Sequence, residues 1–172
     1  TSNRKIIANP NCSTIQMLVA LFPIHKINKI KKIIVSTYQS VSGAGQQAMN
    51  ELSEQSKSYF SKDQIVCKRF PKQIAYNVIP QIDIFTDNKF TKEEMKMVNE
   101  TNKILDKNIN VNPTCVRVPS YMGHAESIYI ELEKDMSIKD LERALQNAEG
   151  IKYSNSDYHT PIDSEGKDWV YA

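Results

Sequence analysis

The chain has 172 residues, enough to bury a proper core, with 22 Lys and Arg against 20 Asp and Glu and a net charge of +2. So even a balance, with lysines scattered apart from Lys29, Lys31 and Lys32, excludes a nucleic-acid surface; no run reaches membrane-spanning length, and no signal peptide is expected. Three widely spaced cysteines, Cys12, Cys67 and Cys115, fit neither a disulfide framework nor a zinc site, so no metal and a reducing cytoplasm are expected.

From Ser13 the chain reads STIQMLVALF, and Ile15, Leu18, Val19 and Phe22 fall at the spacing of a buried helical face. Asn11 is a good N-cap and Pro10 turns the chain sharply into the helix, which places Cys12 in the first turn. Two readings of that cysteine stand: a small apolar side chain buried by packing, or a nucleophile whose thiolate is favoured by free backbone N–H groups and the helix dipole. Residues 33–38 form an apolar, β-branched strand, with Lys29, Lys31 and Lys32 as its solvated edge. Residues 43–59 read as an amphipathic helix through Ala48, Leu52 and Gln55, and 64–69 as a short strand. The Pro-bounded stretch 71–80 is an ordered loop, and 91–105 a helix opened by the capping box of Thr91 and Glu94. Residues 111–118 and 124–132 read as two strands of a hairpin around the turn 119–123. A helix over 137–148 carries Ile138, Leu141 and Leu145 on one face and stops at Gly150, and a polar surface loop covers 153–167.

Gly43-Ala44-Gly45-Gln46-Gln47-Ala48 matches the G-x-G-x-x-[GA] dinucleotide pattern. The strand before it ends well short of the first glycine, and Lys68 and Arg69 stand where an acid is needed, so the pattern does not mark a nucleotide-binding domain here. On the hairpin, Arg117 ends one strand and His124 begins the next. Period-two alternation sets His124 on the face of Ile128, Ile130 and Leu132, which suits a hydrogen-bonded strand-end histidine or a general acid/base. Arg117, on a strand otherwise made of Val and Cys, calls for a carboxylate or phosphate partner. Glu100 and Lys103, one turn apart, read from spacing alone as a surface ion pair.

The segments IIANPNCSTIQM, TYQSVSGAG, QIAYNVIPQID, NETNKIL and CVRVPSYMGHAES together resemble the signature segments of the aspartate-semialdehyde dehydrogenase family, in unbroken order from about Ile6 to about Gly150. The resemblance implies an α+β fold: a mixed, largely antiparallel sheet with helices on one face, like the C-terminal domain of glyceraldehyde-3-phosphate dehydrogenase. It also implies that residues 1–172 form one catalytic and dimerisation domain, excised from a longer enzyme and lacking its N-terminal nucleotide-binding domain and final helix. Carried over position by position, Cys12 is the nucleophile, Gln39 positions the acyl group, and His124 is the acid/base. Arg117 grips the substrate carboxylate, Glu100 and Lys103 lie near the substrate amine and the phosphate or carboxylate, and Ser42 and Gly43 lie against the nicotinamide end of NADP. This replaces the surface-pair reading of Glu100 and Lys103.

The implied reaction is reduction of L-aspartyl 4-phosphate to the semialdehyde through a cysteine thioester, in amino-acid and diaminopimelate biosynthesis. NADP(H) is expected only with the intact enzyme and none bound to this chain, which is expected to be inactive but dimeric through the sheet face formed by Ala125, Ser127 and Tyr129. Two alternatives are an N-acetyl-glutamyl-phosphate reductase domain and a non-catalytic dimerisation scaffold.

Overall fold

A computed structural model describes residues 5–172. The elements are α1 (Cys12–Ile27), β1 (Ile30–Gln39), a 3-10 turn (Val41–Ala44), α2 (Gln46–Ser61), α3 (Lys92–Ile104), β2 (Asn110–Arg117) and β3 (His124–Leu132). After them come α4 (Ile138–Gln146), β4 (Ile151–Lys152), the short α5 (Pro161–Ser164) and β5 (Val170–Tyr171). No helix among the described residues is long and apolar enough to cross a membrane.

The main sheet runs β2-β1-β3, with β1–β2 parallel and β1–β3 antiparallel, so it is mixed, and antiparallel in one of its two pairs. The expected hairpin is therefore corrected: β2 and β3 lie on opposite edges of β1. Segment 118–123 crosses the end of β1 and is tied to the 3-10 turn, where Val41 N–H donates to Ser120 O (2.9 Å) and Ser42 N–H to Tyr121 O (3.1 Å). Two neighbouring strand patterns cannot by themselves reveal a third strand inserted between them. β1 is paired on both sides from Lys32 to Gln39, so the backbone groups of that stretch find partners in the ladders.

One face of β1 carries Ile33, Val35, Thr37 and Gln39, each no more than 1% exposed. Met17, Leu18, Leu21 and Ile24 of α1 and Met97 of α3 pack on it, so the helices lie on one face of the sheet as expected. The expected buried stripe of α1 was wrong in detail, since Ile15 is 38% and Phe22 58% exposed. α1 is apolar nearly all round, and periodicity could not choose which stripe the sheet would take. On the other face of the sheet, Ile34, Tyr38 and Tyr129 lie open.

A second cluster joins Val41, Ala48, Leu52, Phe70, Ile74, Ala75 and Ile79. The strand expected over 64–69 is absent. Instead Glu51 of α2, 4% exposed, accepts the backbone N–H groups of Lys68 (3.2 Å), Arg69 and Phe70 (3.4 Å). Gln55 accepts from Ile74 N–H (2.9 Å) and Ala75 N–H (3.2 Å). Side chains thus satisfy the amides that a ladder would have taken. Gly43 falls in the 3-10 turn and α2 begins at Gln46, so the glycine pattern opens no phosphate-binding helix at its first glycine. The capping box of Thr91 and Glu94 is present. Ile138 is 74% exposed, so α4 packs through Leu141 and Leu145 alone. The surface loop at 153–167 contains α5, and β5 pairs with β4.

Candidate active site

The register of the sheet builds the site in rows. Gln39 stands opposite Arg117 on one side and His124 on the other. The next row down is Cys115, Thr37 and Glu126, then Pro113, Val35 and Ile128. Along the buried face the sheet thus passes from apolar core to a polar row at its end. Arg117 is 6% exposed and its strand end is held by paired backbone bonds with Ile79 of 3.0 and 2.9 Å.

Ser40, the residue after β1, ties the two ends of the polar row together. Its carbonyl accepts from Arg117 Nη1 (2.7 Å), and its N–H donates to His124 Nδ1 (3.1 Å). Its hydroxyl lies 3.2 Å from the same Nδ1 and 2.9 Å from Ser42 Oγ. Burial pushes His124 below the ordinary 6.5; the Gly123 carbonyl pulls it back, and the Arg117 cation pushes it further down. Gly43 is a glycine for want of room: a Cβ would stand 3.0 Å from Arg117 Nη1 and 3.6 Å from His124 Nε2.

Cys12 opens α1, where Asn11 Oδ1 accepts from Ser13 N–H (3.0 Å) and Thr14 N–H (3.3 Å). Asn11 is itself held by α3: its N–H donates to Glu100 (2.8 Å) and its amide to Glu93 (2.8 Å). Glu93 also pairs with Lys96 (3.1 Å). The helix-start position of Cys12 is as expected, while its surroundings oppose the thiolate. Although the sulfur opens on the cleft, surrounding protein displaces enough water to push the thiol above 9.0, the Glu93 carboxylate adds to this, and the Ser13 amide pulls back less. Cys115, fully buried, is pushed up to about 12 chiefly by burial.

Cys12, Gln16, Ser42, His124 and Glu126 line one cleft of ≈ 590 Å³, and segment 159–172 forms its far wall. Gly123 lets that wall approach: at φ +77°, a Cβ would fall 2.5 Å from Pro161 O. Both carboxyl oxygens of Glu126 are buried without a hydrogen-bond partner among the described residues. Burial pushes this group up to about 8, against a smaller downward pull from nearby Gln16, so it is largely protonated at neutral pH.

The structure therefore brings Cys12, Ser42 and His124 together, with Gly43 bordering Arg117 and His124. Gln39 is 1% exposed, and its amide donates to Thr37 Oγ1 (3.2 Å) in place of facing the cleft. Glu100 touches the residue before Cys12, whereas Lys103 is exposed on α3 and lies outside the cleft lining. Sequence reasoning missed Ser40, Glu93 and Glu126. The same alternation that placed His124 with Ile128 also placed Glu126 on that face, and an acid in an apolar series was a legible signal. Ser40 acts through its backbone and left none.

A profile of the family described as "Semialdehyde dehydrogenase, dimerisation domain" matches residues 21–171. The chain is similar to the aspartate-semialdehyde dehydrogenase of Aquifex aeolicus, 49% identical over 97% of this chain and 51% of the relative. Against that of Shewanella violacea it is 53% identical over 99% of this chain and 52% of the relative. The solved aspartate semialdehyde dehydrogenase II of Vibrio cholerae, complexed with ASA, superposes with a TM-score of 0.94 at 49% identity, covering 98% of this chain and 51% of that one. The chain spans about half the length of the relatives it matches.

Proposed function

This chain belongs to the semialdehyde dehydrogenase family, in its dimerisation domain, and from that premise we propose that it is the catalytic half of an aspartate-semialdehyde dehydrogenase. The single observation that carries the reading is the convergence of Cys12 and His124 on one cleft, with Arg117 fixed in the same sheet row as His124. The substrate is L-aspartyl 4-phosphate, the product its semialdehyde, and the setting amino-acid and diaminopimelate biosynthesis in the cytoplasm.

Cys12 sulfur forms a bond to the acyl carbon as the carbon–oxygen bond to phosphate breaks, which leaves a thioester on the protein and free phosphate. Arg117 holds the substrate carboxylate in a bidentate grip, Gln39 positions the acyl group on turning from Thr37 towards the cleft, and Glu100 and Lys103, from beyond the cleft lining, serve the amine and the phosphate or carboxylate. Ser42 and Gly43 fit the nicotinamide end of NADP(H), because the missing Cβ keeps open a space bordered by Arg117 and His124. When bound, that cofactor exchanges a hydride with the reacting carbon. Cleavage of the carbon–sulfur bond then returns the Cys12 thiol and releases the aldehyde, with His124 handling the proton.

Residues 1–172 act as one catalytic and dimerisation unit, and a second copy covers the open sheet face around Ile34, Tyr38 and Tyr129. By itself the chain is expected to bind no NADP(H) and to show no turnover. The test fuses this chain behind the nucleotide-binding half of the Vibrio cholerae relative and follows NADPH formation from aspartate semialdehyde and phosphate. Activity that Cys12→Ser abolishes supports the reading; a soluble, folded fusion with no Cys12-dependent activity rejects it.

A further inference from the structure

We infer that the peptide of Ser40 holds His124 in its Nε2-protonated form, so that the ring enters the cleft as a hydrogen-bond donor beside Arg117. A neutral imidazole has one N–H and one lone pair, and the partner of one nitrogen sets the state of the other. A backbone N–H can only donate. Ser40 N–H lies 3.1 Å from Nδ1, so Nδ1 carries the lone pair and the ring proton sits on Nε2. Ser40 and Ser42 hydroxyls, 2.9 Å apart, add a second donor route to the same nitrogen, since Ser40 Oγ is 3.2 Å from it.

Nε2 faces the space beside Gly43, as does Arg117 Nη1, whose own bond to the Ser40 carbonyl uses one of its two protons. One peptide thus aims two donors at one small volume: its N–H fixes the imidazole and its carbonyl fixes the guanidinium. Ser40 is in this sense a positioning residue. It can do both because β1 lies between β2 and β3, which places residue 40 at the head of the row shared by Arg117 and His124.

The consequence rests on His124 being the acid/base group of the reaction proposed above. A ring with its proton on Nε2 donates a hydrogen bond to the acyl oxygen as the carbon becomes tetrahedral and that oxygen gains negative charge.

The test reads the ring directly. Long-range 1H–15N correlation of the 15N-labelled chain at pH 7, with His124 assigned by its loss in His124→Gln, is expected to show a bare Nδ1 and a protonated Nε2. The reversed pattern, or protons on both nitrogens, overturns the inference. Ser40→Ala keeps the peptide and is expected to keep the pattern; a switch there would assign the effect to the hydroxyl and overturn the backbone role. In the fused enzyme, His124→Gln retains an N–H donor and is expected to keep at least about tenfold more kcat than His124→Leu. Equal losses would also count against donation. A reversed tautomer with Cys12 still acylated sinks this inference alone, whereas the expected tautomer with no acylation sinks the proposed reaction.

Discussion

Two buried carboxylates show how differently the two ends of this molecule use polar groups. Glu51 in α2 accepts three backbone N–H groups from segment 68–70 and a fourth bond from Gln55 (3.0 Å). The carboxyl oxygens of Glu126 in β3 are also buried, yet neither has a hydrogen-bond partner among the described residues, and Glu126 lines the cleft with Cys12 and His124. A fully satisfied buried acid is a piece of architecture; an unsatisfied one is kept neutral and marks where the fold leaves room for chemistry. The same division separates their surroundings. Around Glu51 the loop 66–75 is pinned to a helix, whereas at the start of α1 the hydroxyls of Ser13 and Thr14, too, are buried without partners among the described residues.

The contrast can be broken first at Glu51. Glu51→Ala leaves three amides without their acceptor, and urea unfolding is expected to show a loss of about 3 kcal/mol. Glu126→Gln, measured beside it, is expected not to destabilise at neutral pH. Similar losses in the two variants would erase the distinction.

Next in size is the pH dependence carried by Glu126. Its folded value of about 8 lies above the ordinary 4.5. Between those limits the folded chain keeps a proton that the unfolded chain has released, so stability falls as pH rises across that window. The expected decline is on the order of a few kcal/mol between pH 5 and pH 8. Glu126→Gln should lack this component, with near-equal stability at pH 5 and a clear advantage over the parent chain at pH 8. Parallel stability curves for the two chains would show that Glu126 ionises freely in the folded state.

A smaller effect sharpens the cleft itself. Alkylation of Cys12, followed by mass spectrometry against pH, is expected to reach its midpoint above 9.0, because burial and then Glu93 oppose the thiolate. Glu93→Gln should move that midpoint down only partway, since burial remains. A midpoint below the ordinary value would restore the helix-start argument for an activated thiolate. The smallest stability effect is expected on the open sheet face, where Tyr129→Lys should change the stability of a protomer by no more than about 0.5 kcal/mol. Its sedimentation should nevertheless shift from dimer to monomer. An unchanged dimer would move the subunit interface off this face.

Cys12, Arg117 and His124, to which the proposed reaction assigns the chemistry, stand out in the sequence because each contradicts its surroundings: a thiol at a helix start, a cation in a Val and Cys strand, an imidazole heading an apolar face. Helix limits were legible too, through the Asn11 cap and the Thr91–Glu94 box, since capping is a contact between residues near in sequence. The buried stripe of α1 was not legible, because an almost uniformly apolar helix offers two faces and only the sheet chooses. The hairpin reading failed for a related reason. Strand pairing joins residues far apart in sequence, and Ile33 found Val111 on one side and Ile130 on the other.

By itself, then, the sequence determined which side chains are candidates for the chemistry, where α1 and α3 begin, and which family's segments they compose. Tertiary structure alone decided that Gln39 lies between Arg117 and His124, that the Ser40 peptide bonds both, and that burial and Glu93 oppose the Cys12 thiolate. Those outcomes depend on burial and on backbone groups brought together across the sheet. Neither is encoded by the identity of any one residue: every residue carries the same N–H and carbonyl, and only the fold decides what they meet.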